Sequence, residues 1–202
     1  LRFLLNTSKA TSENKLSLLF ILISKYPLKI GDRYFEPFIE ASEIQFAIQQ
    51  LAEQIYADYS DQCPVFVGVL NGSILFLADL LKHYKGDCEL SFIKVKSYEG
   101  TNSTNHITES LAFDDSLQGR SIILVEDIVD TGNTIVYLKE AAKKKNIHHV
   151  KIATLFLKPE VYQKAVKLDY VGIRIPNKFI VGCGLDYDGL GRNSSEVFVL
   201  KE

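Results

Sequence analysis

Residues 125–134 read VEDIVDTGNT and close the apolar run SIILV at 121–125. A short β-branched run of this kind predicts a buried strand. The strand is expected to end in Glu126 and Asp127, which brings two carboxylates to the carboxyl edge of a sheet, where open α/β folds hold their ligands. Such a pair suits ribose-type hydroxyls and a hydrated magnesium ion. Asp130, Thr131, Gly132, Asn133 and Thr134 then lead into a helix predicted over 135–145. At a helix start, main-chain N–H groups and hydroxyls can surround a phosphate, and Gly132 lets the backbone come close. Read without its neighbours, Asp-Thr-Gly is also an ordinary N-cap and turn.

The surrounding chain alternates strands with helices. Strands are predicted over 64–70, 90–96, 121–125 and 150–157, with helices over 74–82 and 135–145 between them. Upstream, Ile44, Ile48, Leu51 and Ile55 recur at helical spacing, and Ser42 with Gln45 has the spacing of a capping box. This alternation predicts an α/β fold with a mainly parallel sheet flanked by helices. The turn Leu70-Asn71-Gly72-Ser73 sits between a strand and a helix, a second place where amides can hold an anion. Residues 97–116 are polar over their first half and are expected to form one long loop, of the kind that is mobile or functional.

Four segments, in order, resemble the type I phosphoribosyltransferases, and their hypoxanthine-guanine branch in particular. They are VGVLNGS at 67–73, KSY at 96–98, VEDIVDTGNT at 125–134 and IPNKFIVGCGLDYDGLGR at 175–192. The resemblance runs from about Phe35 to Leu200 and implies the family's sheet with a small hood subdomain over the base. It also implies phosphoribosyl pyrophosphate (PRPP) and a 6-oxopurine as substrates, with Mg²⁺ as cofactor.

The same resemblance assigns roles. Asp130 matches the general base that accepts the N7 proton of the purine as N9 attacks. Glu126 and Asp127 match the holders of the ribose hydroxyls, and Thr131, Gly132, Asn133 and Thr134 the 5′-phosphate loop. Asn71, Gly72, Ser73 and Arg192 match pyrophosphate-binding positions. Many relatives carry a basic residue at Asn71, so Gly72 and the Ser73 hydroxyl are expected to do more of the binding, with Lys96 nearby. Glu126, Asp127 and Asp186 match magnesium-associated carboxylates, while Ser97 and Tyr98 match a loop that closes over the reaction centre. Lys158 matches the lysine that reads O6 of the base, Phe179 the aromatic that stacks on it, and Ile180 a main-chain contact to its edge. Without the family, Phe179 beside Ile180 and Val181 reads more readily as core.

Composition bounds the rest. A chain of 202 residues with 47% hydrophobic content can bury one good core. A net charge of −2 gives no electrostatic footprint for nucleic acid. Cys63, Cys88 and Cys183 lack metal-ligand spacing and read as reduced, buried thiols of a cytoplasmic protein. The run LSLLFILI at 16–23 resembles a signal-peptide core, but no small-x-small site follows and it is too short to span a membrane. Residues 1–30 lie outside the resemblance and are set apart as an extension of unassigned role, with 31–202 as a single domain, and the resemblance implies a homodimer or homotetramer. Two other readings stay open: a regulator that keeps the fold as a PRPP sensor, and a transferase for adenine or xanthine. Adenine would set an amino group against the Lys158 ammonium, two donors facing each other at a cost.

Overall fold

The computed structural model describes residues 27–97 and 107–201. Tyr98 and residues 1–26 of the extension lie outside them. The main sheet is built from β3 (Val65–Leu70), β4 (Glu89–Ser97), β5 (Ile107–Leu111), β6 (Ile122–Val129), β7 (Val150–Leu157) and β8 (Tyr170–Arg174). Their spatial order is β5-β4-β3-β6-β7-β8. All neighbours pair in parallel except the edge strand β5, which is antiparallel to β4. From β3 the chain turns outward to β4 on one side, and from β6 to β7 on the other. The topological switch point thus falls between β3 and β6, where such sheets open a crevice for ligands.

Among the described residues three α-helices cover the sheet: α1 (Ala41–Tyr59) and α2 (Ile74–His83) on one face, α3 (Asn133–Lys144) on the other. Alternation along β6 explains both layers, since Ile123 and Val125 join the core with α1 and α2, while Ile122 and Leu124 join the core with α3. The capping box expected at the start of α1 is absent. Glu40 precedes the helix with no side-chain cap, Ser42 lies inside it, and Gln45 donates to Asp79 of α2 at 2.7 Å. Burial explains why the helix forms regardless: Ile44, Ile48, Leu51 and Ile55 are at most 1% exposed. Each is worth about 1.5–3 kcal/mol, against about 1 kcal/mol for a cap.

A second, antiparallel sheet has the order β1-β2-β10-β9, from β1 (Leu28–Ile30), β2 (Arg33–Ile39), β9 (Ile180–Val181) and β10 (Val197–Leu200). This is the hood. Ile30, Phe35, Val181 and Phe198 form its own small core, and Ile39, Ile180 and Val197 carry it into the main one. Residues 97–116 are not one uninterrupted loop, because Ile107–Leu111 returns as β5 and pairs Lys96 with Thr108.

Candidate active site

β6 continues four residues past the expected end, because β7 keeps pairing with it as far as Val129 opposite Leu157. Glu126 and Asp127 therefore sit inside the sheet rather than beyond its edge. Glu126 is 8% exposed, and its Oε2 has no hydrogen-bond partner among the described residues. Burial first, and then the charge of Asp127, hold its carboxyl well above the usual range. Asp127 accepts the Ile128 N–H at 2.9 Å. Burial pushes its pKa up to about 6, Asp186 adds to the rise, and main-chain hydrogen bonds and Arg192 oppose it.

The sign of the consequence follows. Between the unfolded value near 3.8 and the folded value of about 6, the native state holds the extra proton. Stability therefore falls as pH rises through that window, and the loss persists above it. Asp127→Asn keeps an oxygen for the Ile128 N–H and removes the buried charge. The variant is expected to gain stability over the parent at pH 8, on the order of a few kcal/mol, and to lose that advantage at pH 4. Urea melts at the two pH values check this, and an equal difference at both would refute it.

The turn after β3 meets β6 here. A Cβ built on Gly72 would lie 1.6 Å from Asp127 Oδ2, so the carboxylate rests directly on the bare glycine backbone. The hood closes on the same point, since a Cβ on Gly184 would lie 2.0 Å from the Gly72 carbonyl oxygen. Arg192 donates to the Gly184 carbonyl at 2.7 Å and pairs with Asp186 at 2.5 Å. Asp186 in turn accepts the Gly189 N–H at 2.7 Å. Gly72, Asp127, Asp186 and Arg192, drawn from three separate stretches of sequence, thus form one cluster. Asn71 is exposed beside it. The Ser73 hydroxyl expected to face an anion is turned inward instead: it is fully buried and donates to Val69 O at 2.7 Å, back across the turn from β3 to α2.

The phosphate loop lies one turn beyond β6. Gly132 holds φ +80°, a left-handed conformation that strains any side chain, and a Cβ there would meet the Tyr162 ring at 2.4 Å. α3 starts at Asn133, two residues earlier than expected, so Asn133 and Thr134 belong to its first turn. The Thr131 hydroxyl accepts the Asn133 N–H at 3.5 Å. The next amides of that turn have no acceptor within the helix and are free to meet an anion. Tyr162, unremarked in the sequence, braces this loop: its ring covers Gly132 and its hydroxyl donates to Val166 O.

Beside the loop, Lys158 follows the end of β7 and its Nζ donates to Asp130 Oδ2 at 2.8 Å. The lysine side chain is only 9% exposed, while Asp130 is 46% exposed and faces the crevice. Phe179 stands apart from this pair, on the hood. Its ring is 47% exposed and packs edge-on to Tyr187 at 6.0 Å and beside Phe35 at 6.3 Å. Tyr187 is anchored to the first hairpin of the hood by its hydroxyl, which donates to Asp32 at 2.8 Å. Ile180 is buried in β9. Ser97 closes β4 at the margin of the described chain.

Comparison with known proteins decides the family. The model of the phosphoribosyl transferase domain matches residues 39–188. The hypoxanthine-guanine phosphoribosyltransferase of Streptococcus pyogenes serotype M3 is 45% identical over 155 residues, 76% of this chain and 86% of the relative. This chain belongs to the phosphoribosyltransferase family, in its hypoxanthine-guanine branch. Solved structures agree. The hypoxanthine-guanine enzyme of Bacillus anthracis superposes with a TM-score of 0.77 at 33% identity, covering 86% of this chain and all of that one. The hypoxanthine phosphoribosyl transferase of Trypanosoma cruzi gives 0.76 at 30% identity, covering 86% and 95%.

Within that family the two clusters divide the phosphoribosyltransferase site at the switch point. The Gly72, Asp127, Asp186 and Arg192 cluster joins β3, β6 and the hood, and the Asp130 and Lys158 pair joins β6 and β7. The first cluster brings two carboxylates and a guanidinium against a bare glycine turn, and the second offers a carboxylate and an ammonium side by side.

Proposed function

We propose that this phosphoribosyltransferase moves the 5-phosphoribosyl group of PRPP to N9 of hypoxanthine or guanine, forming IMP or GMP and releasing pyrophosphate. The observation that carries the reading is the Asp130 and Lys158 pair, held at 2.8 Å directly beside the phosphate loop. A carboxylate there can take the N7 proton while an ammonium donates to a carbonyl oxygen at C6, which selects a 6-oxopurine over a 6-aminopurine.

The bond from C1 to the pyrophosphate oxygen breaks as N9 attacks, with oxocarbenium-like charge on the ribose. Asp127 and Glu126 lie under that sugar, and the loop from Thr131 to Thr134 holds the 5′-phosphate at the start of α3. Amides of the Asn71 and Gly72 turn, together with Arg192, receive the leaving pyrophosphate. Asn71 supplies no charge of its own, which leaves Arg192 as the guanidinium of this cluster. Much of the acceleration is then positional and electrostatic.

Magnesium fits this site as an ion that arrives on substrate phosphates. Among the described residues no three His, Cys, Asp or Glu side chains converge to hold a metal, whereas magnesium commonly binds through one or two carboxylates plus phosphate oxygens and water. Asp127 and Asp186 are the side chains placed to serve it, and Glu126 is buried behind them. When bound, the ion neutralises charge on the leaving group. The same reading makes the protein a cytoplasmic homodimer or homotetramer that acts on PRPP and free purines rather than on nucleic acid.

Pyrophosphate release from PRPP and Mg²⁺, measured with hypoxanthine, guanine, xanthine and adenine in turn, tests the proposal. Turnover is expected with hypoxanthine or guanine and not with adenine. Preference for adenine would overturn the role given to Lys158, and binding of PRPP without turnover of any base would return the protein to the sensor reading.

A further inference from the structure

A cavity of about 670 Å³ lies away from these clusters, at the amino edge of the main sheet. Its size falls in the range of small-molecule sites. Lys139 of α3, His148 and His149 before β7, Lys151 of β7 and Lys167 before β8 all line it. The carboxylates there are heavily used. Asp169, 12% exposed, gives Oδ2 to the Ile152 N–H at 3.0 Å and shares Oδ1 between Lys151 and Lys167 at 3.6 and 3.7 Å. Asp58 accepts the Tyr170 hydroxyl at 2.6 Å. Lys139 has a neutral partner, the Val150 carbonyl, at 2.9 Å.

Three ammoniums thus face two carboxylates, before either histidine is protonated, in a chain whose net charge is −2. A scatter of surface lysines would need no ligand. Here two ammoniums share one carboxylate oxygen at distances longer than a hydrogen bond, and both side chains line a concave volume, Lys151 also lying 5.8 Å from the centre of the Tyr170 ring. The wall is not wholly polar, because Val150 and Val166 also line it. Val166 is the residue whose carbonyl takes the Tyr162 hydroxyl, so one strap of chain joins this cavity to the phosphate loop.

We infer that this cavity is a second anion site, distinct from the transferase centre, which takes a chain of phosphates. Several lysine point charges around a groove suit a multivalent phosphate better than a single planar carboxylate, which an arginine fork would hold. A free polyphosphate and the phosphates of a nucleotide share this chemistry. Recognition here does not depend on the reaction proposed above.

Histidine signals give a local readout, since the chain has only four histidines. Protein carrying ¹⁵N-histidine is titrated with inorganic tripolyphosphate, and the His148 and His149 imidazoles are followed by NMR. Saturable shifts at both are expected, and they persist in Asp127→Asn, a change at the transferase centre that keeps the hydrogen bond to the Ile128 N–H. Lys167→Glu, at a side chain 80% exposed and outside the core, is expected to weaken the response about tenfold. A linear response matched by sodium chloride at equal ionic strength, or an unchanged affinity in Lys167→Glu, would overturn the site. ATP in place of tripolyphosphate separates the two sources: equal affinity assigns the phosphate chain as the whole ligand, and tighter binding adds the apolar wall. Each supports the site.

Discussion

Asp130→Asn is expected to lower kcat for the 6-oxopurine by about two to four orders of magnitude, the range over which a positioned general base acts. Asparagine keeps the shape of the side chain and an acceptor oxygen but cannot take the N7 proton. It also removes the charge from the partner of Lys158, whose ammonium is 9% exposed and 2.8 Å away. A buried ammonium left facing a neutral amide costs far more than an exposed one would, so the base should also bind less well. The two effects separate in kinetics. Loss of the proton acceptor appears in kcat, and loss of the ordered ammonium appears in KM for the base. Lys158→Gln alone should raise that KM and relax discrimination against adenine while keeping more of kcat. In the double variant the penalties should fall short of their sum, because the residues act through one contact. A kcat for Asp130→Asn within about fivefold of the parent would leave Asp130 as a charge stabiliser and not the base.

How much of this was legible in the sequence depends on whether one segment or several carried the feature. The parallel sheet, α1 and α2 were readable because periodicity and burial agree locally: Ile44, Ile48, Leu51 and Ile55 repeat on one face and are buried on it. The turn from β6 into α3 was readable because Asp130 to Thr134 is continuous. The end of β6 was misjudged because acidic residues look like a strand terminus, and only the partner strand β7 shows why pairing continues to Val129. The capping box failed for a similar reason, since Gln45 finds Asp79 in α2, 34 residues away. The inward turn of Ser73 likewise has no sequence signal, because a hydroxyl at a helix start can face an anion or return to the carbonyl four residues back. Tyr162 could not be found by motif, as its role is contact with Gly132 across 30 residues of chain. Lys158 and Phe179 were marked by family resemblance, yet only the fold shows that one meets Asp130 and the other joins the hood aromatics.

Gly72→Ala is expected to be the most damaging small substitution in the protein. The added Cβ would stand 1.6 Å from Asp127 Oδ2 and 2.5 Å from its Cγ, well inside any real contact. The carboxylate must rotate or the turn must retreat, and both moves are hindered. Asp127 holds the Ile128 N–H at 2.9 Å, and the Gly72 carbonyl is already pressed by Gly184 of the hood. Overpacking of this kind costs roughly 1–3 kcal/mol of stability. The larger effect should fall on PRPP, because in the proposed function the displaced carboxylate lies under the ribose and the displaced turn receives pyrophosphate. KM for PRPP should rise by about two orders of magnitude, equivalent to roughly 3 kcal/mol of lost binding, with much less change in KM for the purine. A second substitution distinguishes steric damage from general unfolding. In Gly72→Ala/Asp127→Ala the clashing carboxylate is gone, so stability should recover towards that of Asp127→Ala while PRPP binding stays poor. If the double variant were no more stable than Gly72→Ala, the clash with Asp127 would not be the cause. If Gly72→Ala bound PRPP as the parent does, the β3 turn would have no part in holding pyrophosphate, and Arg192 with the phosphate loop would have to supply that contact.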